Sequence, residues 1–339
     1  MTPVYDGDVP ASLRRVLVTG ASGFLGSHVV RTLASHGIAV HAQGRDAKRL
    51  SFDGDVRVFR CALSDTVALN AAAHSCDAIV HAAALSAPWG ARQDFVDANI
   101  AGTANVIAAG RASGVRRLVH ISSPAVLFNG RDQVLLDDSA PIPPTLGSEY
   151  ARTKRAAEQL VESAAGQLET VILQPKAIYG AGDRALVPRL LRAARRGALP
   201  QIGGGANEVD ITHVDDVVRA ILCALQTDRG VGDAFLVTGG EHVSLWQMIR
   251  ELLSGLNLPA PHVTIPLRVA LAAAGAMEAV AAITGREPTL TRYSVQILAR
   301  TQTYDITRAC AKLGYAPMVS AADGLARTID ALRSEATAR

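Results

Sequence analysis

A tyrosine and a lysine lie four residues apart in the stretch Tyr150-Ala-Arg-Thr-Lys154. On a helix this spacing places both side chains on one face. A free phenol has a pKa of about 10 and is a poor acid or base at neutral pH, whereas a neighbouring ammonium group favours the phenolate and lowers that pKa. The pair therefore predicts proton transfer by Tyr150, provided that the fold brings other reactive groups to it.

A hydroxyl group is predicted beside this pair. Ser122 and Ser123 directly follow the apolar run 117–121, which we predict to be a strand. In a parallel sheet, residues at the carboxyl end of a strand face the crevice in which ligands bind. The hydroxyl of Ser122 or of Ser123 is therefore a candidate to polarise a substrate oxygen.

Three glycines spaced three residues apart follow an apolar run and precede a helix-forming segment: Gly20, Gly23 and Gly26. In this context the first permits a sharp turn, the second lets a diphosphate approach, and the third lets the helix pack on the strand. The helix N-terminus then faces the anion. The pattern predicts a dinucleotide site rather than a plain turn, with contacts also from Ser22, Phe24 and Leu25.

The end of the second predicted strand indicates which dinucleotide binds. An NAD site usually has an Asp or Glu about 20 residues past the glycines, whereas an NADP site offers Arg to the 2′-phosphate. Here Arg45 lies where the carboxylate is expected, Asp46 comes one position late, and Lys48 follows. Arg45 and Lys48 therefore favour NADP(H) over NAD(H). The alternative is a solvated charged turn capped by Asp46.

Alternating apolar runs and helical patterns predict an α/β fold, namely a doubly wound Rossmann-type parallel sheet with a smaller C-terminal substrate lobe. The dinucleotide-binding domain is predicted over 13–178 with a returning part near 209–240, and the substrate lobe over 179–208 and 241–335. Helices are predicted over 95–112 and 150–165. Six strands are predicted, the first beginning at Val16 and the others at 38–43, 56–60, 78–81, 117–121 and 170–173.

Composition excludes several classes of protein. The chain of 339 residues is 49% hydrophobic and only 19% charged, which suits a sheet that is buried on both faces. A net charge of +3 is too small, by itself, to predict binding to nucleic acid or to an anionic membrane. The four cysteines are scattered, so we expect neither a metal site nor disulfides. Residues 1–12 lack the pattern of a signal peptide, and we expect a loose tail and a cytoplasmic protein.

Taken in order, these residues resemble the extended short-chain dehydrogenase/reductase family. The resemblance rests on the glycine motif, on His81-Ala-Ala-Ala84, on Ser123 and on the Tyr150/Lys154 pair. It implies that Ser123 polarises the reacting oxygen, that Tyr150 exchanges a proton with it, and that Lys154 binds the nicotinamide ribose and lowers the pKa of Tyr150. It also implies a homodimer, a positioning role for Asn99, and cofactor contacts at Leu63, Ala82, Ala83, Ala84, Ser122, Pro175 and Ala177.

Departures from the family's motifs limit the classes of substrate that this chain is expected to bind. Sugar-nucleotide dehydratases carry an Asp-Glu pair after the serine, where this chain has Pro124-Ala125. Sugar-nucleotide epimerases usually have an Asn and an Arg that hold the diphosphate, and Ala177 and Val209 stand at those positions. The side chains that would hold the diphosphate of a nucleotide sugar are therefore missing, and such a substrate is not favoured. A nucleotide-sugar epimerase remains one alternative function.

The remaining resemblance is to the 3β-hydroxysteroid dehydrogenase branch, which includes bacterial 2-alkyl-3-ketoalkanoate reductases. It implies an apolar 3-keto or 3-hydroxy substrate and NADP(H)-dependent hydride transfer. Ser86, Trp89 and Tyr179 are candidate substrate contacts, with ordinary packing as the alternative for the two aromatic residues. Two other functions stay open, namely an NAD-linked 3β-hydroxysteroid or sterol dehydrogenase and a non-catalytic dinucleotide sensor.

A nearly uncharged helix is predicted between Pro266 and Gly285. Its length and its two charges, Arg268 and Glu278, argue against a membrane span. The preferred interpretation is a buried helix that covers the substrate lobe. The alternative is a lid that contacts a membrane or a lipid-delivering partner.

Overall fold

The computed structural model describes residues 13–197 and 199–337, so the predicted N-terminal tail lies outside the described residues. The strands are β1 (Arg15–Thr19), β2 (Ala39–Gly44), β3 (Val56–Arg60), β4 (Ala78–His81), β5 (Arg117–Ile121), β6 (Gln133–Leu136), β7 (Glu169–Pro175), β8 (Ile178–Tyr179), β9 (Gln201–Ile202), β10 (Glu208–Asp210), β11 (Thr212–His213), β12 (Ala234–Val237), β13 (His242–Ser244), β14 (Thr264–Ile265) and β15 (Gln302–Tyr304).

The α-helices are α1 (Phe24–Ser35), α2 (Thr66–Ala73), α3 (Arg92–Phe95), α4 (Gly102–Ala112), α5 (Glu149–Ser163), α6 (Leu186–Arg195), α7 (Val214–Gln226), α8 (Leu245–Gly255), α9 (Leu267–Thr284), α10 (Arg292–Ala299), α11 (Thr307–Leu313) and α12 (Ala321–Thr337). A π-helical segment, Val96–Ala101, joins α3 to α4. Short 3-10 turns cover Ala47–Arg49 and Pro124–Leu127.

Seven parallel strands form the central sheet in the order β12-β7-β5-β4-β1-β2-β3. The order reverses between β1 and β4, and ligands bind at such a switch point, outside the carboxyl ends of the strands. The predicted doubly wound α/β fold is therefore confirmed. The six predicted strands are all present, and the seventh is β12, within the predicted returning segment.

The sheet has an apolar core on each of its faces, and successive side chains of β1 pack into the two cores in turn. Val16 and Val18 pack with α1 and α7, whereas Leu17 packs with α2, α4 and α5. Successive side chains of a strand point to opposite faces, so an all-apolar strand is stable only when both faces are covered. The three side chains are fully buried, and the glycine turn that follows β1 is held on a rigid support.

A second sheet lies under the substrate lobe and has the order β13-β10-β15-β6. Its edge strand β6 comes from the stretch 13–178 that the sequence assigned to the dinucleotide-binding domain, yet β6 pairs with β15, which the sequence assigned to the substrate lobe. The pairing partner β15 lies more than 160 residues later, so no local pattern could indicate the pairing. A separate apolar core holds the lobe around the fully buried Trp246.

Helix α9 has the predicted bounds but not the predicted burial. Only Ala270, Ala274 and Ala281 are buried. By length and composition alone α9 is apolar enough to cross a membrane, yet only 17% of it is buried inside the protein. The interpretation of α9 as a buried cover is therefore wrong, because only three alanines and the half-buried Leu267 and Leu271 pack on the core of the lobe and most of the helix is exposed.

Candidate active site

The turn between β1 and α1 has no room for side chains at its glycines. Gly20 has a φ of +71°, and a Cβ there would lie 2.8 Å from the backbone of Ala83. A Cβ on Gly26 would overlap the carbonyl oxygen of Gly20. The backbone amide of Ala83 also donates to the Thr19 hydroxyl at 3.3 Å, which ties the turn to the end of β4. The turn is thus a tight anion cradle at the N-terminus of α1.

We expect Gly26→Ala to abolish dinucleotide binding. The added methyl group meets backbone, which cannot rotate away, so the turn must open. Isothermal titration with NADPH measures the loss, and circular dichroism reports whether the fold survives. Gly204→Ala is the matched control, since nothing lies within 4 Å of a Cβ at that position. A Gly26→Ala protein that folds and binds NADPH normally would contradict this role for the turn.

Exposed basic side chains surround the far end of this cradle. Arg45 and Lys48 follow β2 and make no side-chain hydrogen bond or ion pair with the described residues. The nearby Asp46 is engaged by Arg49 at 3.0 Å and caps the 3-10 turn. Arg184, which sequence reasoning missed, donates from the loop before α6 to the carbonyl of Ser22 at 3.4 Å. No spacing pattern singles out Arg184, because it reaches the cradle from 162 residues away.

Helix α5 carries the predicted phenol in its first turn. The hydroxyl of Ser148 caps the helix by accepting from the amide of Ala151 at 3.1 Å. Burial raises the pKa of Tyr150, and hydrogen bonding to the hydroxyls of Ser123 and Ser86 opposes that increase. The structure therefore brings Tyr150 and Ser123 together as predicted. The structure also places Ser86, a candidate substrate contact, within hydrogen-bonding distance of the Tyr150 phenol.

Lys154 lies at the end of β5, where its ammonium group is held by the backbone and by a histidine. Its ammonium group donates to the carbonyl of Ile121 at 2.5 Å and lies 3.4 Å from Nε2 of His120. Burial lowers the pKa of Lys154 to about 8, and Glu158 opposes the decrease. The same burial, with Lys154 beside it, holds the pKa of His120 well below its ordinary value. Lys154 is not among the groups that lower the pKa of Tyr150, so the predicted tuning is not seen here.

Asn99 fixes the segment that carries Ser86. Its side-chain oxygen accepts from the amide of Leu85 at 2.7 Å, and its nitrogen donates to the hydroxyl of Thr153 at 3.0 Å. Asn99 belongs to the π-helical segment, and such segments are frequent at functional sites. It therefore connects the loop after β4 to α5, as the positioning role predicted for it requires.

The two aromatic substrate candidates have different positions. Tyr179 is 2% exposed and packs edge-on against His213 with its hydroxyl against Gly324. It is a core residue, so its predicted contact with the substrate is not supported. Trp89 is half-buried in the loop after β4, three residues beyond Ser86.

The remaining candidates for cofactor contact lie along the carboxyl edge of the sheet. The hydroxyl of Ser122 is buried and has no hydrogen-bond partner among the described residues, as expected of a group that awaits a ligand. Ala177, after β7, has a φ of +44°, and such strain is typical of functional sites. The candidates for cofactor contact lie at or just after the ends of β3, β4, β5 and β7: Leu63, Ala82, Ala83, Ala84, Ser122, Pro175 and Ala177. This row, with the glycine cradle at one end, fits a dinucleotide.

Fold and site together define a dinucleotide-dependent enzyme with a tyrosine beside two serine hydroxyls. The sequence model of the NAD dependent epimerase/dehydratase family matches residues 16–238. The chain belongs to this family, which comprises the extended short-chain dehydrogenase/reductases, and the resemblance inferred from its motifs is confirmed.

Two relatives match almost the whole chain. A 2-alkyl-3-oxoalkanoate reductase of Stenotrophomonas maltophilia (strain K279a) is 35% identical over 92% of this chain and 98% of its own length. A 3beta-hydroxysteroid-dehydrogenase/decarboxylase of Arabidopsis thaliana is 30% identical over 95% of this chain and 80% of its own length. The relatives are named as reductases and dehydrogenases, and the chain is an oxidoreductase-type enzyme of this family.

A solved structure with bound ligands shares the fold. MoeE5 in complex with UDP-glucose and NAD has a TM-score of 0.75 and 26% sequence identity, and the match covers 95% of this chain and 99% of MoeE5. A nicotinamide dinucleotide therefore suits this family and this fold.

Proposed function

We propose that this protein is an NADP(H)-dependent ketoreductase or alcohol dehydrogenase that acts on an apolar 3-keto or 3-hydroxy substrate. The observation that carries the proposal is the convergence of Ser86 and Ser123 on the Tyr150 hydroxyl. Three hydroxyls that meet at one point suit a carbonyl oxygen, which accepts two hydrogen bonds in the ground state and gains charge during reduction.

Tyr150 acts as the acid in the reducing direction. A nicotinamide dinucleotide held at the glycine turn between β1 and α1 would supply the hydride for the carbonyl carbon. Tyr150 donates its proton to the carbonyl oxygen, and Ser123 donates a hydrogen bond that stabilises the negative charge developing there. Because burial keeps the pKa of Tyr150 raised, the phenol is protonated at neutral pH, as an acid must be. A non-catalytic dinucleotide sensor would not need a proton donor beside two serine hydroxyls.

The basic end of the cradle supports NADP(H). Arg45 and Lys48 make no ion pair with the described residues and are available to bind a 2′-phosphate, and Arg184 adds a third cation at Ser22. A Cβ on Gly44 would lie 2.8 Å from the Ser22 hydroxyl, so an acidic side chain there would displace Ser22. At position 45, where the carboxylate of an NAD site is expected, the chain has the exposed Arg45 instead.

The substrate class follows from what the site lacks and from the names of the relatives. Val209 is buried in β10 and Ala177 ends in a methyl group, so neither can hold a diphosphate. The reductase and dehydrogenase relatives are named for oxoalkanoate and steroid substrates. An NAD-linked 3β-hydroxysteroid dehydrogenase is the second candidate, and the plant relative favours it.

A substrate panel tests the proposal. NADPH oxidation is followed with 2-alkyl-3-oxoalkanoates, 3-ketosteroids and short β-keto esters, and the reverse reaction with 3β-hydroxysteroids and either dinucleotide. We expect reduction of the apolar ketones with NADPH. Interconversion of UDP-glucose and UDP-galactose without any reduction of ketones would overturn the proposal in favour of an epimerase.

The pH dependence tests the role of Lys154. Its pKa in the free protein is lowered to about 8, so the ammonium group is lost as the pH rises through 8. If the charged form binds the dinucleotide, kcat/KM for NADPH should fall about tenfold per pH unit above that value. Lys154→Arg keeps the charge, and any activity it retains should lack this decline. A wild-type profile that stays level to high pH would contradict the role.

A further inference from the structure

One face of α9 is apolar from residue 269 to residue 283 and is largely exposed within the described part of the chain. Val269, Met277, Val280 and Ile283 are 57%, 39%, 58% and 87% exposed. At 3.6 residues per turn they project from the same side, together with the exposed alanines 272, 273 and 276. The buried alanines 270, 274 and 281 project from the other side, where α9 packs on the lobe.

This apolar face, defined by Val269, Met277, Val280 and Ile283, contains no charged residue. It extends about 21 Å at 1.5 Å per residue. The two charges within α9 lie outside the face: Arg268 flanks it, and Glu278 lies on the packed side, where Arg292 binds it at 2.7 Å.

The charges around α9 are unbalanced in favour of cations. Both nearby carboxylates are neutralised, Glu278 by Arg292 and Glu287 by Arg189 at 2.5 Å. Arg268 and Arg286, at the two ends of α9, are exposed and form no ion pair with the described residues. Arg192, Arg195 and Arg196, at the end of α6, are also exposed and unpaired within the described chain.

The end of α6 is close to α9. An apolar cavity of about 350 Å³ lies between the last turn of α6 and the segment 259–265 that leads into α9, and its lining includes Ala194, Pro261 and Val263. Val263 is 61% exposed and extends the apolar surface beyond the apolar face. A basic rim next to an uncharged apolar strip is the arrangement that an anionic lipid surface attracts.

We propose that α9 lies in the plane of an anionic lipid bilayer, with its apolar face in the boundary between headgroups and acyl chains. A membrane span does not suit α9, because its packed side is held on the lobe by buried alanines and by the Glu278–Arg292 pair. A second copy of the chain suits it poorly. A twofold pairing through α9 would bring the unpaired Arg268 and Arg286 of the two copies together.

Vesicle cosedimentation of the full-length protein tests this proposal, independently of any turnover. We expect binding to vesicles of phosphatidylcholine mixed with phosphatidylglycerol, and binding weaker by about tenfold to phosphatidylcholine alone. Val280→Glu should reduce binding to the mixed vesicles by at least about tenfold, because it places a charge in the apolar face. Val67→Glu is the matched control, since Val67 is 80% exposed on α2 of the other domain.

Fluorescence and sedimentation give a second readout. Ile283→Trp places a reporter in the apolar face, and its emission should shift to shorter wavelength with the mixed vesicles but not with phosphatidylcholine alone. Equal binding of the Val280→Glu and Val67→Glu proteins, or no binding by the unmodified chain, would overturn the proposal. So would a dimer that only Val280→Glu dissociates in equilibrium sedimentation, because a second copy would then cover the apolar face.

Discussion

Tyr150→Phe should reduce kcat for ketone reduction by about 10³-fold, within the range by which proton transfer from a positioned side chain accelerates reactions. The phenol is the group on which Ser86 and Ser123 converge, and phenylalanine keeps the ring but has no proton to donate. The dissociation constant for NADPH should change by less than about twofold, since the lost hydroxyl acts on the substrate oxygen. Stopped-flow single turnovers measure the first quantity and isothermal titration the second.

Tyr293→Phe is the matched control for this variant. The Tyr293 phenol lies near Tyr150, so burial and the neighbouring phenol both raise the pKa of Tyr293. It packs edge-on against Phe128 at 6.0 Å between ring centroids, and among the described residues no hydrogen bond to a hydroxyl affects its pKa. We expect kcat to stay within about fivefold of wild type. If both variants lose activity equally, or if Tyr150→Phe retains full turnover, Tyr150 is not the acid.

Arg45→Ala should raise KM for NADPH by about 30-fold, since a hydrogen bond to a charged group contributes about 2 kcal/mol and each 1.4 kcal/mol is a factor of ten. KM for NADH should change by less than about twofold, because NADH has no 2′-phosphate. Initial rates with each dinucleotide at a saturating ketone concentration measure both constants. The ratio of the two changes is the quantity that identifies a 2′-phosphate contact.

Arg49→Ala provides the control for charge alone. Arg49 is four residues from Arg45 but is engaged by Asp46, so removing it should alter NADPH and NADH kinetics about equally. Arg184→Ala should act in the same direction as Arg45→Ala, because Arg184 reaches the cradle at Ser22. A protein that uses both dinucleotides equally well, and in which Arg45→Ala changes nothing, would exclude the NADP(H) assignment.

The elements of the dinucleotide-binding half could be predicted almost to the residue. The runs predicted over 56–60, 78–81 and 117–121 are the observed β3, β4 and β5. Strands of a parallel sheet are buried on both faces and therefore appear as short uninterrupted apolar runs. The glycine spacing is equally informative, because a Cβ at Gly26 would meet the backbone of Gly20, which is close to it in the chain.

Contacts between distant segments could not be predicted in this way. The sequence placed Lys154 beside Tyr150 by helical spacing, yet its ammonium group turns to the carbonyl of Ile121, 33 residues earlier in the chain. Ser86 reaches the phenol only because Asn99 fixes the loop that carries it.

The sequence by itself determined the dinucleotide cradle, the phenol and the family, because each depends on residues close together in the chain. Tertiary structure alone decided that Arg184 faces the cradle, that residues 133–136 belong to the second sheet, and that α9 is exposed. An apolar helix has the same sequence pattern whether protein or another medium covers it. Its burial is set by the surfaces that the rest of the chain presents, and here the lobe buries three alanines of α9 and covers Leu267 and Leu271 only in part.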